Sequence, residues 1–401
     1  IGYKALEDNT GDMNTAVGAY ALPENSTGDN NTAVGRNALR FNTTASNNTA
    51  IGHQALDQNT DGHSNTAVGS GALDANTTAD ENVAVGRNAL GAVTTGSYNT
   101  ALGFEALKTV TTGQQLVAVG RLALGLNTTG SQNTACGYQA LYNNTTGDSN
   151  TAAGYAALYS VTTGSNNTGF GRDTLYFTTT GSDNTAIGNE ALENNTGSNN
   201  TAVGSHALTE NTTGAWNTAV GDESLKANTT ANANTAVGYQ SMLVNTTGAS
   251  NVSFGYHSLK ANTTASYNTA IGRDALEDNT TGANNTAVGA FALEENTTAS
   301  YNTAIGAYAL ESNTTGASNT AVGYEALTSV TTNSHNTAIG YWALLNNDAQ
   351  YNTALGKEAV RENTSGSRLV GVGNRALMKN TTGDYNHAFG DHALFACTTG
   401  D

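Results

Sequence analysis

The sequence has few of the residues on which compact globular domains usually depend. Only 12% of its 401 residues are charged, 7% are aromatic, and a single residue is proline. Asn, Thr, Ala and Gly are in excess instead, and glycine alone accounts for 46 residues. Such a composition is typical of turns and stacked repeats, and not of an ordinary globule.

Basic residues and long apolar runs are also scarce. The chain has 15 Lys and Arg against 32 Asp and Glu, which gives a net charge of −17. The phosphates of DNA or RNA would be repelled, so nucleic acid is excluded as a partner. No stretch is apolar over the length that crosses a bilayer, so we expect no membrane insertion in this segment. A signal peptide and an initiator Met are missing as well, which predicts an excerpt of a longer fibre or a mature product.

What is present is one repeat of seventeen residues. Residues 302–318 read NTAIGAYALESNTTGAS, and residues 319–335 read NTAVGYEALTSVTTNSH. The glycine of the A-V-G or A-I-G triplet recurs at this spacing from Gly2 to Gly390, apart from three steps of sixteen. We number the unit N-T-A-V-G-x-x-A-L-x-x-N-T-T-G-x-x as positions 1 to 17. The three short units are altered in the N-T-T-G stretch, which predicts a solvent-facing turn there.

The columns of this repeat predict which side chains form the core. Position 9 is Leu in nearly every unit, position 4 is mostly aliphatic, and the Thr of position 2 is replaced in four units by the near-isosteric Val. Positions 2 and 4 share one face of a strand, so we predict that they point inward with position 9. The Asn turns at position 12 are expected to be exposed. The residues expected to be buried are Val34, Val68, Val288, Leu39, Leu73 and Leu293.

Positions 3 and 8 accept only small residues, almost always Ala. If position 3 points away from the core, this restriction indicates close packing against another surface. A second copy of the chain is the natural partner for such a face. The candidate self-association residues are Ala16, Ala33, Ala50, Ala67 and their equivalents.

Together these patterns predict an all-β fold. Seventeen residues with a β-branched run, a glycine and an N-T-T-G turn leave no room for a stable helix, whereas two short strands and two corners fit. We therefore predict a β-solenoid, a parallel β-roll of about 24 coils of 17 residues, in one uninterrupted array over residues 1–401. At roughly 4.8 Å per coil the array would be a rod on the order of 115 Å long. We expect it to assemble as a homotrimer or a filament.

The repeat also resembles a known family. Thr32-Ala33-Val34-Gly35 and Thr303-Ala304-Ile305-Gly306 are similar to the N-S-V-A-I-G rungs of YadA-like trimeric autotransporter adhesin heads, and the longer unit looks like repeat arrays of phage tail-fibre-like proteins. The likeness covers essentially the whole chain. It implies a left-handed parallel β-roll, three chains side by side, and a projecting adhesive or spacer role.

No pattern indicates catalysis, a cofactor or a metal. The seven histidines fall in several columns, and the three at position 7 (His206, His257 and His392) lie several units apart, so we expect solvated side chains and no metal ligands. Acidic residues gather at positions 7, 10 and 11, where weak divalent-cation binding is the alternative to a solvated face. At about 4.8 Å per coil, Cys136 and Cys397 lie on the order of 70 Å apart, too far for a disulfide. Cys136 is expected in the core.

Two columns carry further candidates for recognition. Exposed aromatic residues at position 6 would grip a sugar or a protein, or else stack on neighbouring coils. At position 12, N-T-T fits the N-glycosylation pattern, and an Asn turn that needs no sugar is the alternative. The candidate glycosylation sites are Asn42, Asn76, Asn127, Asn144, Asn211, Asn228, Asn245, Asn262, Asn279, Asn296, Asn313 and Asn380.

These observations predict a structural, fibrous protein and no enzyme. We expect an extracellular, cell-surface or virion fibre that acts as an adhesin head or fibre shaft, with a host-surface protein or glycan as a further partner. The alternatives are a self-assembling extracellular filament, glycosylated along the Asn turns, and an ice- or glycan-binding solenoid. We expect chelators, nucleotides and nucleic acids to change neither stability nor assembly.

Overall fold

The computed structural model describes residues 1–400, and each repeat folds in the same way. The β-branched T-A-V segment at positions 2 to 4 forms a three-residue strand. The glycine at position 5 then ends the strand with φ near +140°, a backbone conformation open almost only to glycine. The remaining residues turn back to the start of the next strand.

The chain divides into two compact units. In the first unit, residues 1–199, the strands are β1 (Thr15–Val17), β2 (Thr32–Val34), β3 (Thr49–Ile51), β4 (Thr66–Val68), β5 (Val83–Val85), β6 (Thr100–Leu102), β7 (Val117–Val119), β8 (Thr134–Cys136), β9 (Thr151–Ala153), β10 (Thr168–Phe170) and β11 (Thr185–Ile187).

In the second unit, which begins at residue 200, the strands are β12 (Thr201–Val203), β13 (Thr218–Val220), β14 (Thr235–Val237), β15 (Val252–Phe254), β16 (Thr269–Ile271), β17 (Thr286–Val288), β18 (Thr303–Ile305), β19 (Thr320–Val322), β20 (Thr337–Ile339), β21 (Thr353–Leu355), β22 (Val370–Val372) and β23 (His387–Phe389).

Within each unit, every strand pairs in parallel with the strand of the next coil. The register aligns identical repeat positions, as in β18 and β19, where Thr303 faces Thr320 and Ala304 faces Ala321. Because like columns stack, the predicted parallel β-solenoid is confirmed. None of the described residues forms a helix.

The predicted direction of the strand side chains is wrong. Position 3 points inward: Ala33 is fully buried, whereas Val34 is only half-buried. Val68 and Val288 are half-buried in the same way, since the side chains of positions 2 and 4 lie on the outer face. The leucine column is buried as predicted at Leu39, Leu73 and Leu293.

The small residues at positions 3 and 8 reflect a narrow coil interior. In the coil of β10, Gly169 replaces the Ala of position 3 and Thr174 replaces the Ala of position 8. A Cβ atom added at Gly169 would lie 2.8 Å from Thr174 Oγ1, so a larger residue on one wall is matched by a smaller one on the other. In the coil of β15, Ser253 Oγ donates a hydrogen bond to the carbonyl oxygen of Ser258 at 2.8 Å. Both columns therefore face each other across the core.

Two columns of buried asparagine connect the coils. At position 12, Asn296 Nδ2 donates to Asn279 Oδ1 at 2.7 Å and to the carbonyl oxygen of Ala299 at 3.1 Å. At position 1, Asn285 Oδ1 accepts from the backbone N–H of Asn302 at 2.9 Å. The expected exposure of position 12 is wrong because this amide satisfies backbone groups at the inside of the corner.

The corners depend on residues with left-handed backbone at positions 7, 9 and 17. In one coil these are Phe291 at φ +60°, Leu293 at φ +53° and Tyr301 at φ +64°. Left-handed backbone costs a residue other than glycine roughly 1–2 kcal/mol. Full burial of a leucine side chain contributes roughly 1.5–3 kcal/mol, which offsets that cost at position 9.

Candidate functional site

The candidate self-association alanines lie inside the coil. Ala33, Ala50 and Ala67 are fully buried and Ala16 is nearly so, because position 3 faces the interior of the same chain. The proposed reason for their small size, contact with another copy, is wrong. Their size is set by the opposite wall of the coil.

The strand face, defined as the side chains at positions 2 and 4, is one outer surface of each unit. Position 4 forms an apolar stripe, with Ile271 42% exposed, Ile305 42% exposed and Leu355 46% exposed. Threonines at position 2, such as Thr286 and Thr303, are half-buried between stacked neighbours. Exposed apolar patches of this kind commonly mark surfaces that bind other proteins.

Cys136 belongs to this same face. It occupies position 4 of β8 and is an exposed free thiol. The predicted core location of Cys136 is wrong, as it is for Val34, Val68 and Val288, because the side chain of position 4 points outward.

The candidate glycosylation asparagines are not in exposed turns. All twelve are fully buried, and Asn42 shows the usual contacts: its Nδ2 donates to Asn25 Oδ1 at 2.8 Å and to the carbonyl oxygen of Ala45 at 3.0 Å. The atom that would carry a glycan is thus engaged inside the folded corner.

The position 6 aromatics stack along the solenoid axis. The ring centroids of Tyr239 and Tyr256 are 5.6 Å apart, and those of Tyr324 and Tyr341 are 5.5 Å apart, with nearly parallel planes in both pairs. These four rings remain more than 40% exposed. Stacking on neighbouring coils is therefore confirmed, and an exposed aromatic surface remains.

An acidic column lies at position 10 of the second unit. Glu277, Glu294 and Glu311 occupy successive coils. Burial, followed by the charges of Glu311, Asp274, Glu277 and Asp278, raises the pKa of Glu294 to about 7. Burial also raises the pKa of Glu311. This part of the surface therefore carries less negative charge at neutral pH than its sequence suggests.

One histidine meets two carboxylates at the start of this column. His257 Nδ1 lies 3.3 Å from Glu277 Oε1 and 3.7 Å from Asp274 Oδ1. His257 and Asp274 both occupy position 7, in successive coils, and Glu277 lies three residues after Asp274. A search for histidines that recur at one repeat position does not find this group, because it combines one imidazole with two carboxylates. A His followed by acidic residues both seventeen and twenty residues later was the available signal, and only His257 has both.

Sequence reasoning also missed the role of position 16. The column is rich in Ser and Asp, whose side chains accept hydrogen bonds from the backbone of the preceding coil. Ser300 Oγ accepts from the N–H of Ala283 at 3.0 Å, and Asp80 Oδ1 accepts from the N–H of His63 at 2.7 Å. The preference for short oxygen-bearing side chains was the signal for this contact.

Among the described residues there is no helix that is both long and apolar enough to cross a membrane. Neither the comparison with protein-family models nor the comparison with curated proteins finds a match for this chain.

Proposed function

We propose that this chain is a structural, non-catalytic fibre protein that associates with further copies of itself through the strand face. The observation that carries the proposal is the apolar stripe of position 4, which continues along successive coils of each unit. Ile271, Val288 and Ile305 occupy this column in three successive coils. A regular row of aliphatic side chains is complementary to the same row on another copy.

The protein would act outside the cell or on a virion. A homotrimer or filament built in this way would serve as a fibre shaft or adhesin head outside a cell or on a virion. The resemblance to trimeric autotransporter heads and tail-fibre-like repeats supports that role. The half-exposed tyrosine stacks, such as Tyr324 with Tyr341, offer planar surfaces on which a host glycan or protein would bind.

The test is a triple substitution on the strand face, Ile271→Lys, Val288→Lys and Ile305→Lys. Lysine ammonium groups on an apolar contact between two copies would have to be desolvated, so association should be lost. Because position 4 points outward in the single chain, the β-sheet content and thermal midpoint should change little. Light scattering measures association, and circular dichroism measures the β-sheet content and the thermal midpoint.

The matched control places three lysines at position 14, Thr281→Lys, Thr298→Lys and Thr315→Lys. These threonines are exposed on another side of the same three coils. The control should associate like the natural chain. If the strand-face variant also keeps the natural oligomeric state, self-association through this face is refuted.

A second candidate function is binding to ice, which the outward direction of position 2 favours. Threonine hydroxyls repeat at this position through most coils of both units, at the strand spacing of about 4.8 Å. The test is thermal hysteresis of the purified chain, with Thr286→Lys and Thr303→Lys as the disrupting variant. No hysteresis in the natural chain refutes this candidate.

A further inference from the structure

The group formed by His257, Asp274 and Glu277 has the geometry of a metal site. One nitrogen and two oxygen atoms from these side chains all lie within 4.8 Å of one another. Metal–ligand bonds of about 2.1 Å in a tetrahedron separate its ligands by roughly 3.4 Å. The distances from His257 Nδ1 to the two carboxylate oxygens, 3.3 Å and 3.7 Å, are close to that value.

An independent observation concerns the Asp274 carboxylate. Asp274 is only 4% exposed, and its Oδ1 atom is buried with no hydrogen-bond partner. The other oxygen, Oδ2, accepts from Arg273 Nε at 2.8 Å. A buried carboxylate oxygen without a donor is costly, and Oδ1 is the atom that faces His257.

The surroundings hold the three side chains in place. The ring of Tyr256 lies against the imidazole of His257, with centroids 3.8 Å apart. Arg273 holds the far side of the Asp274 carboxylate. Lys260 Nζ lies 3.3 Å from Glu277 Oε1, so a bound cation would take the place of this flexible ammonium group.

We propose that His257, Asp274 and Glu277 bind one divalent cation of the zinc class. Imidazole nitrogen with carboxylate oxygen is a donor set that zinc accepts, and three protein ligands leave a fourth position for water. Calcium and magnesium require six or more oxygen ligands or octahedral geometry, which this group does not supply. In a fibre, such an ion would join two successive coils through their side chains.

The test is calorimetric titration of the full chain with zinc chloride at pH 7.5, after treatment with a chelator. We expect one saturable site per chain, and a higher thermal midpoint when zinc is bound. The variants His257→Asn and Asp274→Asn should lose this site. His206→Asn is the matched control, because His206 occupies the same column and its Nδ1 lies 2.9 Å from Ser205 Oγ.

Cobalt provides a second readout. If cobalt replaces zinc at this site, its visible absorption should have the intensity of tetrahedral coordination, and this absorption should be absent in His257→Asn. The proposal is overturned if zinc does not bind up to millimolar concentration. It is also overturned if His257→Asn binds zinc as tightly as the natural chain does, or if magnesium binds equally well.

Discussion

The glycine at position 5 is the residue with the least freedom to change. Gly323 has φ +136°, and a Cβ atom added there would lie 2.5 Å from the carbonyl oxygen of Gly340 in the next coil. Gly323→Ala therefore combines backbone strain with a clash against backbone. We expect it to lower the free energy of unfolding by at least about 2 kcal/mol, measured by urea denaturation.

The control for this glycine lies at position 10 of the repeat. Gly91 occupies that position without a left-handed φ, and a Cβ atom added there would lie 3.3 Å from its nearest neighbour, the carbonyl oxygen of Asn88. Gly91→Ala should change the free energy of unfolding by less than about 1 kcal/mol. Equal losses at both glycines would contradict the special role of position 5.

The alanine at position 3 tests the direction of the strand side chains. Ala304 is fully buried, whereas its neighbour Ile305 is outward and 42% exposed. Ala304→Leu should overpack the narrow core and cost about 1–3 kcal/mol or more, whereas Ile305→Leu should be nearly neutral. Thermal denaturation of both variants measures the difference. A larger loss of stability in Ile305→Leu than in Ala304→Leu would contradict the inward direction of position 3.

At the scale of structural elements, the stacked asparagines at position 12 lack a hydrogen-bond partner in some coils. Val330 interrupts position 12, and the Oδ1 atom of the preceding Asn313 is buried without a partner. The same defect occurs at Asn76 and Asn144, which precede Val93 and Val161. Each valine thus removes the Nδ2 donor that the preceding coil would use.

Restoring that donor should stabilise the second unit. In Val330→Asn, the new Nδ2 is placed to donate to Asn313 Oδ1, as Asn296 does to Asn279. Because an unsatisfied buried acceptor costs roughly 1–3 kcal/mol, we expect a gain of about 1 kcal/mol in urea denaturation. Val330→Thr, with no amide, is the control and should give no such gain.

The acidic column predicts how the stability depends on pH. The pKa of Glu294 is raised in the folded chain to about 7 from an ordinary 4.5. Between these values the folded state binds more protons than the unfolded state, so this group lowers stability as pH rises from 4.5 to 7. Glu294→Gln should therefore stabilise the protein at pH 8 and have little effect at pH 4.

Partial solvent exposure reduces the size of this effect to about 1–2 kcal/mol. The measurement is the thermal midpoint of both proteins at several pH values, with a chelator present so that only protons vary. Glu210→Gln is the control, because Glu210 is exposed and is not one of the charges that raise the pKa of Glu294. A Glu294→Gln effect that is the same at pH 4 and pH 8 would contradict the raised pKa.

At the scale of the whole molecule, the repeat alone predicted the parallel solenoid, because seventeen-residue spacing and β-branched runs leave few other folds. Which side chains of the strand point inward could not be predicted in the same way. A column restricted to Ala fits both a contact between chains and a narrow interior, and only the paired departures at Gly169 and Thr174 distinguish them. The group of His257, Asp274 and Glu277 occurs in only one pair of neighbouring coils. Comparing the same repeat position over all coils therefore does not reveal it.

Charge and the strand face together predict how association depends on salt. Copies of a chain with a net charge of −17 repel one another, whereas the proposed contact along Ile271, Val288 and Ile305 is apolar. Raising the ionic strength from about 20 mM to about 500 mM shortens the Debye length severalfold, so it should increase association. Light scattering at fixed protein concentration measures this, and the strand-face lysine variant should show no increase. Association that weakens with salt would indicate a contact made of ion pairs and would contradict an apolar strand face.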